Sequence, residues 1–224
     1  MRLRAEYRVG AELRFLANLD MMHLMERALR RAQIPYLLSE GFNPHIRLSM
    51  GTVLPVGLWG EQEYFDLELQ PMQGSAFMTA MNRVLPPGME IKRCREIPAS
   101  APSLMKMVNA ADYAFKVKPG RLDLKNIVDE ILAQTAIPVQ SRGKNKAVTK
   151  DLRPGIYRIA LEENDPVCLI HAMVSVNEPL NIRFDELLEV FARNGIKSEI
   201  MLDFWRRGNY IIKGDKFALP LDVI

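Results

Sequence analysis

RLRAEYRVGAELRFLANLDMMHLMERALRRAQ, residues 2–33, sets how the chain begins to fold, because its hydrophobic period changes part-way along. From Arg2 to Val9 the residues alternate. Leu3, Ala5, Tyr7 and Val9 lie on one side, Arg2, Arg4, Glu6 and Arg8 on the other. A period of two is that of a strand with one buried face. From Phe15 the spacing becomes three and four. Phe15, Leu19, Met22, Met25, Leu29 and Ala32 form an apolar stripe, with Glu26, Arg27, Arg30 and Arg31 opposite. The spacing predicts an amphipathic helix that stops before Pro35.

The same counting carries on down the chain. Strands are expected at about 36–50 and 62–70, joined by the turn-rich LPVGLWGEQ. Ser75 is placed to cap a helix with Phe77, Met78, Met81, Val84 and Leu85 on one face, stopped by Pro86-Pro87-Gly88. A strand from Met89 to about Ile97 completes the order strand, helix, strand, strand, helix, strand, which is the ferredoxin-like unit. Residues 97–111, IPASAPSLMKMVNAA, lack periodicity and hold two prolines, so they read as a connection.

The second half repeats the plan. Asp112–Lys118 reads as a strand, and Asp123 caps a helix stripe of Leu124, Ile127, Val128, Ile131 and Leu132. Strands follow at about 137–141, 155–163 and 167–176, then a helix with Phe184, Leu187, Leu188 and Phe191 that ends at Asn194-Gly195. A terminal hairpin is expected from Glu199–Trp205 and Tyr210–Lys213, turning at Gly208-Asn209. The predicted fold is α+β: two tandem ferredoxin-like (βαββαβ) units with antiparallel sheets. The predicted domains are 1–98, a linker 99–111, and 112–224.

Composition narrows the class of protein. With 224 residues, 48% hydrophobic and 25% charged, the chain has the make-up of a soluble globular protein. No apolar run approaches the roughly 18 residues of a membrane span, and MRLRAEYRV lacks the apolar core of a signal peptide. Cys94 and Cys168 stand singly in strand patterns, which points to reduced thiols, a cytoplasmic protein and no membrane. The net charge of +3 is small but unevenly spread. Residues 1–31 hold seven arginines against four acids, and 142–153 hold five basic residues against Asp151. Such patches can bind phosphates. A solvated helix face and a solvated loop are the plainer alternatives. Arg27, Arg30, Arg31 and Lys144 are the candidate RNA contacts.

In a ferredoxin-like unit with strand order 4-1-3-2, alternation puts one set of side chains on the sheet face away from the helices. That set is Arg4, Glu6 and Arg8, then His45, Arg47 and Ser49, then Tyr64, Asp66 and Glu68. One aromatic is no base-stacking platform of the kind RNA-recognition sheets use. Any RNA contact would run through phosphates or loops. Within SEGFNPH, residues 39–45, Gly41 permits positive φ and Pro44 extends Asn43, so the segment aims Asn43 and His45 over the sheet edge or simply turns a corner.

Motifs of known chemistry are missing. His23, His45 and His171 have no metal-ligand spacing, so no metal and no cofactor is expected. The chain has no GxxxxGK, GxGxxG, GxSxG, CxxxCxxC or GRTDAGVHA-like stretch. Asp20 and His23 share a helix face and could orient an imidazole, though such surface pairs are commonly incidental. Asp66 is the better carboxylate candidate, beside His45 or Arg47 on the neighbouring strand.

LRFLANLDMMHLMERALRRAQIPYLLSEGFNPHIRLSMGTVLPVGLWGEQEYFDLEL resembles the start of the DUF2344, or radical-SAM-linked, family. Its elements RFLxHxD, ERALRRA, SxGFNPH, LPxG and EYxDxxL fall on Arg14–Asp20, Glu26–Ala32, Ser39–His45, Leu54–Gly57 and Glu63–Leu69. KAVTKDLRP, 146–154, is similar to a further KxxD[IL]RP element. Where the family often has His, this chain has Asn18. An amide keeps a hydrogen-bonding role but cannot act as a general base. The resemblance implies a module fused to, or encoded beside, radical-SAM proteins, with RNA or the ribosome as the plausible target. Taken together, the family motifs, the strand alternation and the basic stretch give as binding candidates Arg14, Asn18, Asp20, Ser39, Asn43, His45, Arg47, Ser49, Asp66, Lys146, Asp151 and Arg153. Three readings stay open. The first is a recognition module for a radical-SAM enzyme that also binds RNA. The second is an enzyme with an Asn18/Asp20/His45/Asp66 pocket, and the third is a protein–protein adaptor.

Overall fold

The computed structural model describes residues 1–143, 148–214 and 216–223. The structure is mixed α/β, with few helices and mostly antiparallel strand pairing. The chain forms two compact units, Met1–Val108 with Gly208–Ile224 (unit 1) and Asn109–Arg207 (unit 2). The expected division into 1–98, 99–111 and 112–224 differs in one respect above all: the last residues belong to unit 1.

Unit 1 contains β1 (Arg2–Val9), α1 (Asn18–Arg31), β2 (Leu48–Met50), β3 (Trp59–Glu68), α2 (Gly74–Asn82), β4 (Met89–Ile97) and the short α3 (Leu104–Met107). Strand β1 is central, antiparallel to β3 (Arg4 opposite Asp66) and to β4. Strand β2 pairs with β3, with Ser49 opposite Asp66. The core joins Leu3, Ala5, Phe65 and Leu67 to Met21, Met25, Leu29, Phe77 and Met81. The Phe65 ring lies 5.6 Å from Tyr7 and 6.5 Å from Phe77.

Helix α1 departs from the expected stripe at its start. The Ala17 N–H donates to the Asp20 carboxylate at 3.3 Å, which fixes the first turn at Asn18. Phe15 therefore precedes the helix and is 77% exposed, and Leu19 is 64% exposed. The buried face is Met21, Met25, Ala28 and Leu29.

The centre of the sheet face expected to be open is covered, while Arg8, His45, Arg47 and Ser49 of the same set stay exposed. Arg4, Glu6, Tyr64 and Asp66 are all buried. Residues 98–107 and the C-terminal stretch lie across them: Leu104 and Leu221 pack on Tyr64, and Arg4 donates to the carbonyls of Pro102 (3.1 Å) and Pro220 (3.0 Å). Arg2 donates to the carbonyls of Ala99 and Ala101. The segment that read as a linker is thus a strap. The stretch before α3 has no regular structure, which leaves its carbonyls free to accept from guanidinium groups that must be satisfied when buried.

Unit 2 contains β5 (Ala110–Val117), α4 (Leu124–Ala133), β6 (Pro138–Gln140), β7 (Thr149–Asp151), β8 (Ile156–Asn164), β9 (Val167–Ser175), α5 (Phe184–Arg193) and the start of β10 (Met201–Lys213). Strand β9 runs antiparallel to both β5 and β8. Strands β6 and β7 make a separate ribbon, so the TKD of KAVTKDLRP is a strand and not a loop. Phe115 stacks on Phe184 at 5.7 Å and meets Phe191 edge-on at 4.9 Å. Asp123 caps α4 by accepting the Asn126 N–H at 3.0 Å.

The expected turn at Gly208-Asn209 does not form, and β10 runs through it. Both turn-forming residues are committed to packing in unit 1. The Asn209 amide donates to the Gln62 carbonyl (3.1 Å), and its oxygen accepts the Thr52 hydroxyl (2.7 Å). A Cβ at Gly208 would meet the flexible end of Gln62, 2.8 Å from its Oε1, and the Tyr210 side chain at 3.1 Å. Strand β11 (Lys216–Ala218) then pairs back onto β10 in unit 1. No helix among the described residues is long and apolar enough to cross a membrane.

Candidate functional site

The loop 39–45 leaves and rejoins unit 1 at the edge of the sheet. Leu38 and Ile46 pair as a bridge, the Ser39 N–H donates to the His45 carbonyl (2.8 Å), and the His45 N–H donates to Ser39 Oγ (2.9 Å). Buried Ile46 anchors it to the core. Gly41 has φ of 122°, the positive value expected for it. Phe42 at the tip is fully exposed (100%). Asn43 and His45 are exposed, and their side chains make no hydrogen bond to the described residues. Arg47, below the loop, donates to Glu68 (2.9 Å) and to the Leu38 carbonyl (3.1 Å). Ser49 is exposed on β2.

Asn18, Asp20, Asn43, His45 and Asp66 do not share a pocket. Asn18 sits with Tyr7, Val9, Met50 and Thr52 in a crevice of about 20 Å³, where β1 ends. That volume holds about one water. The loop 39–45 springs from the other end, where Leu37 donates to the Glu68 carbonyl and Tyr36 pairs with Leu69. The 14 residues of α1 separate these ends, a length of roughly 20 Å at about 1.5 Å per residue. Asp20 serves as the helix cap. Arg14 donates to the Ala11 carbonyl (3.2 Å), and its own carbonyl accepts the Gly57 N–H (2.7 Å).

Asp66 is a structural carboxylate. It is 3% exposed and takes a two-pronged contact from Arg4 (2.7 and 3.0 Å) and a third bond from Arg2 (2.7 Å). Neither His45 nor Arg47 is its partner. Beside it, Glu6 accepts the Tyr64 hydroxyl at 2.8 Å, and burial followed by the Glu6 charge pushes the Tyr64 hydroxyl well above its usual range.

In unit 2 the basic stretch is largely committed to the fold. Arg153 donates to the Leu132 carbonyl at the end of α4 and to the Ile156 carbonyl. Lys150 pairs with buried Glu186 at 2.9 Å. Asp151 accepts the N–H groups of Ile137 (2.7 Å) and Arg153 (3.0 Å), and these two bonds hold its carboxyl below the usual range. Lys144 and Lys146 lie outside the described residues. A cavity of about 340 Å³ lined by Lys118, Asp123, Lys125, Glu163, Asp165 and Cys168 includes none of the sequence candidates. Among the described residues no three His, Cys, Asp or Glu side chains form a metal-ligand set.

A chain of polar groups, buried at Asp112 and His171 and open to solvent at Arg207 and Glu162, lies in unit 2. The Arg207 guanidinium reaches Asp112 Oδ2 (3.2 Å) and His171 Nδ1 (3.1 Å). Guanidinium nitrogens only donate, so Nδ1 accepts and Nε2 carries the proton toward Glu162 at 3.4 Å. Asp112 Oδ1 is buried without a hydrogen-bond partner among the described residues. Burial raises the Asp112 carboxyl against the opposing pull of Arg207, His171 and Arg158. An acid raised on folding destabilises the fold at neutral pH, and the penalty disappears as pH falls through its folded value. Asp112→Asn is therefore expected to raise the urea midpoint at pH 7, with the gain vanishing below the ordinary value of 3.8. A lower midpoint at pH 7 would contradict this.

The arginines of α1 gather more strongly than the sequence indicates. Arg27, Arg30 and Arg31 are exposed on the last turns of the helix. Arg31 donates to the Val84 carbonyl at 2.8 Å, which brings exposed Arg83, the residue before it, to the same end. The nearby acid is Glu26, 3.8 Å from Arg30. Arg83 is a lone arginine at the close of α2, and no local signal marks it. Phe42 had a signal, an aromatic between Gly41 and Asn43-Pro44 in a turn where polar residues are the rule.

The model of the family described as "Uncharacterized protein conserved in bacteria (DUF2344)" matches residues 2–184. The chain belongs to the DUF2344 family. No curated protein matches the chain. Among solved structures, this DUF2344 chain is similar to a chain of a Cbf5-Nop10-Gar1 complex, at 11% identity and a TM-score of 0.50. The likeness covers 93% of this chain and 48% of that one. At that identity it is a likeness of fold, and the DUF2344 chain spans about half the length of its neighbour. A chain of an H/ACA RNP bound to a substrate RNA containing 2'-deoxyuridine is similar at 11% identity and a TM-score of 0.46, over 92% of this chain and 46% of that one.

Proposed function

We propose that this protein is an RNA-recognition module, working beside a radical-SAM enzyme, that holds the phosphate backbone on the arginine cluster of unit 1. The observation that carries this reading is the exposure of Arg27, Arg30 and Arg31 on the last turns of α1, with exposed Arg83 next in sequence to the Val84 whose carbonyl Arg31 binds. These four guanidinium groups, with Glu26 lying 3.8 Å from Arg30, leave a local excess of positive charge on a chain of net charge only +3. Guanidinium forks suit phosphate oxygens in geometry as well as charge. The radical-SAM partner rests on the family resemblance. Each unit is read as ferredoxin-like, with β6 and β7 inserted in the second. The order β4-β1-β3-β2 in unit 1 and the run β5-β9-β8 in unit 2 support that reading.

Binding of bulk tRNA or rRNA is expected to weaken steeply as salt rises, with log K falling by about 0.7–0.9 per phosphate neutralised per log unit of salt. Arg27→Ala combined with Arg83→Ala should reduce that slope by about one to two units while leaving thermal unfolding unchanged. Salt-independent binding, or none, would remove the reading. Co-purification with a radical-SAM protein tests the partner separately.

A further inference from the structure

The loop 39–45 combines three properties that a plain corner does not need. It is tied at its base by the reciprocal Ser39–His45 hydrogen bonds and by the Leu38–Ile46 bridge, so its tip is held out from the sheet. That tip is a completely exposed Phe42. The side chains on its C-terminal side, Asn43 and His45, each donate and accept, and no described protein atom takes those bonds. The loop also lies at the α1 end that bears Arg30 and Arg31: Ile34 donates to the Leu29 carbonyl, and the chain reaches Ser39 five residues later.

We infer that this loop reads one unpaired nucleotide of an RNA, with Phe42 stacked on the base and Asn43 and His45 hydrogen-bonded to its edge. The inference rests on the RNA reading above and names its substrate class: single-stranded loops, bulges or ends, not duplex. Inside a duplex both faces of a base are covered by its neighbours and its pairing edge is occupied. A projecting phenyl ring finds a free face only on a base out of the stack. An apolar protein groove would suit Phe42 but would strand the adjacent amide and imidazole without partners. A base edge supplies those partners. The arginine cluster would then hold phosphates on the flanking nucleotides, which gives affinity without sequence preference.

The test compares a short RNA hairpin with an unpaired loop against a blunt duplex of its stem sequence, by fluorescence anisotropy, for the wild-type chain, Phe42→Ala and Phe42→Trp. Phe42→Ala is expected to weaken hairpin binding about 5- to 150-fold, the range for losing one stacked base. Its salt slope and its duplex binding should not change. Phe42→Trp should retain hairpin binding. A 2-aminopurine placed in the RNA loop should be quenched by the wild type and by Phe42→Trp, but not by Phe42→Ala. Phe42 touches no core residue, so the variants should melt like the wild type. If Phe42→Ala binds the hairpin as well as the wild type while the Arg27/Arg83 variant loses affinity, the loop inference falls and the RNA reading stands. If neither RNA is bound in a salt-dependent way, both fall. Loss of a protein partner on Phe42→Ala, with RNA binding intact, also overturns the inference.

Discussion

Replacing Asp66 by alanine is expected to destabilise unit 1 by about 3–5 kcal/mol, the cost of removing one member of a buried ion network. The side chains of Arg4 and Asp66 are only 1% and 3% exposed, so solvent cannot take over the lost partner. Arg4 would keep its bonds to Pro102 and Pro220 but would hold an uncompensated charge under the strap. With native stabilities commonly 5–15 kcal/mol, the variant should populate unfolded or open forms. The measurement is urea unfolding with hydrogen exchange on the β1 and β3 amides. A companion with Arg4→Met and Asp66→Leu removes both charges and should lose much less than the single variant. A loss below about 1 kcal/mol for Asp66→Ala would show that the network is not desolvated.

In unit 2 the corresponding experiment is Glu186→Gln. Glu186 is fully buried at the third position of α5, and accepts the N–H groups of Arg142 (2.9 Å) and Arg183 (3.0 Å) and the Lys150 ammonium (2.9 and 3.1 Å). Burial by itself would raise its carboxyl, yet the bonds from Arg142, Arg183 and Lys150 hold it below the usual 4.5. A depressed acid contributes stability that is complete above its ordinary value and is lost as pH falls through the folded value. Glu186→Gln should therefore cost about 2–4 kcal/mol at pH 7, somewhat below the buried-pair range because Lys150 partly reaches water. The gap between variant and wild type should begin to narrow as pH drops below 4.5. Asp112 in the same unit shifts in the opposite direction. Acid titration of wild type, Glu186→Gln and Asp112→Asn separates the two contributions, and a gap that stays constant down to pH 3 would refute the assignment to Glu186.

The binding candidates divide along physical lines. Several candidates have structural partners: Asp66 belongs to Arg2 and Arg4 and Arg153 to the end of α4, both far away in sequence, while Asp20 belongs to its own helix start. Among the candidates left with free polar atoms, Asn43 and His45 lie on a loop whose own turn chemistry could be read from Gly41 and Pro44. The cationic surface was half legible. Arg27, Arg30 and Arg31 follow from helical spacing, whereas Arg83 arrives through one long-range hydrogen bond.

Periodicity alone was enough for most elements, because side-chain spacing and local caps act over a few residues. It located β1, α2, β4, α4 and α5 and the buried residues Phe65, Leu67, Phe77 and Met81. It failed where a distant partner changes what a local pattern means. Gly208-Asn209 has the composition of a turn, but packing against Gln62 and Thr52 keeps it extended. Residues 98–107 have the composition of a linker, but their unspent carbonyls become the acceptors of two guanidinium groups. Local spacing names the elements of a chain. Which faces stay exposed depends on segments that fold back from far along it, because a buried charge must find its partner wherever the chain can supply one.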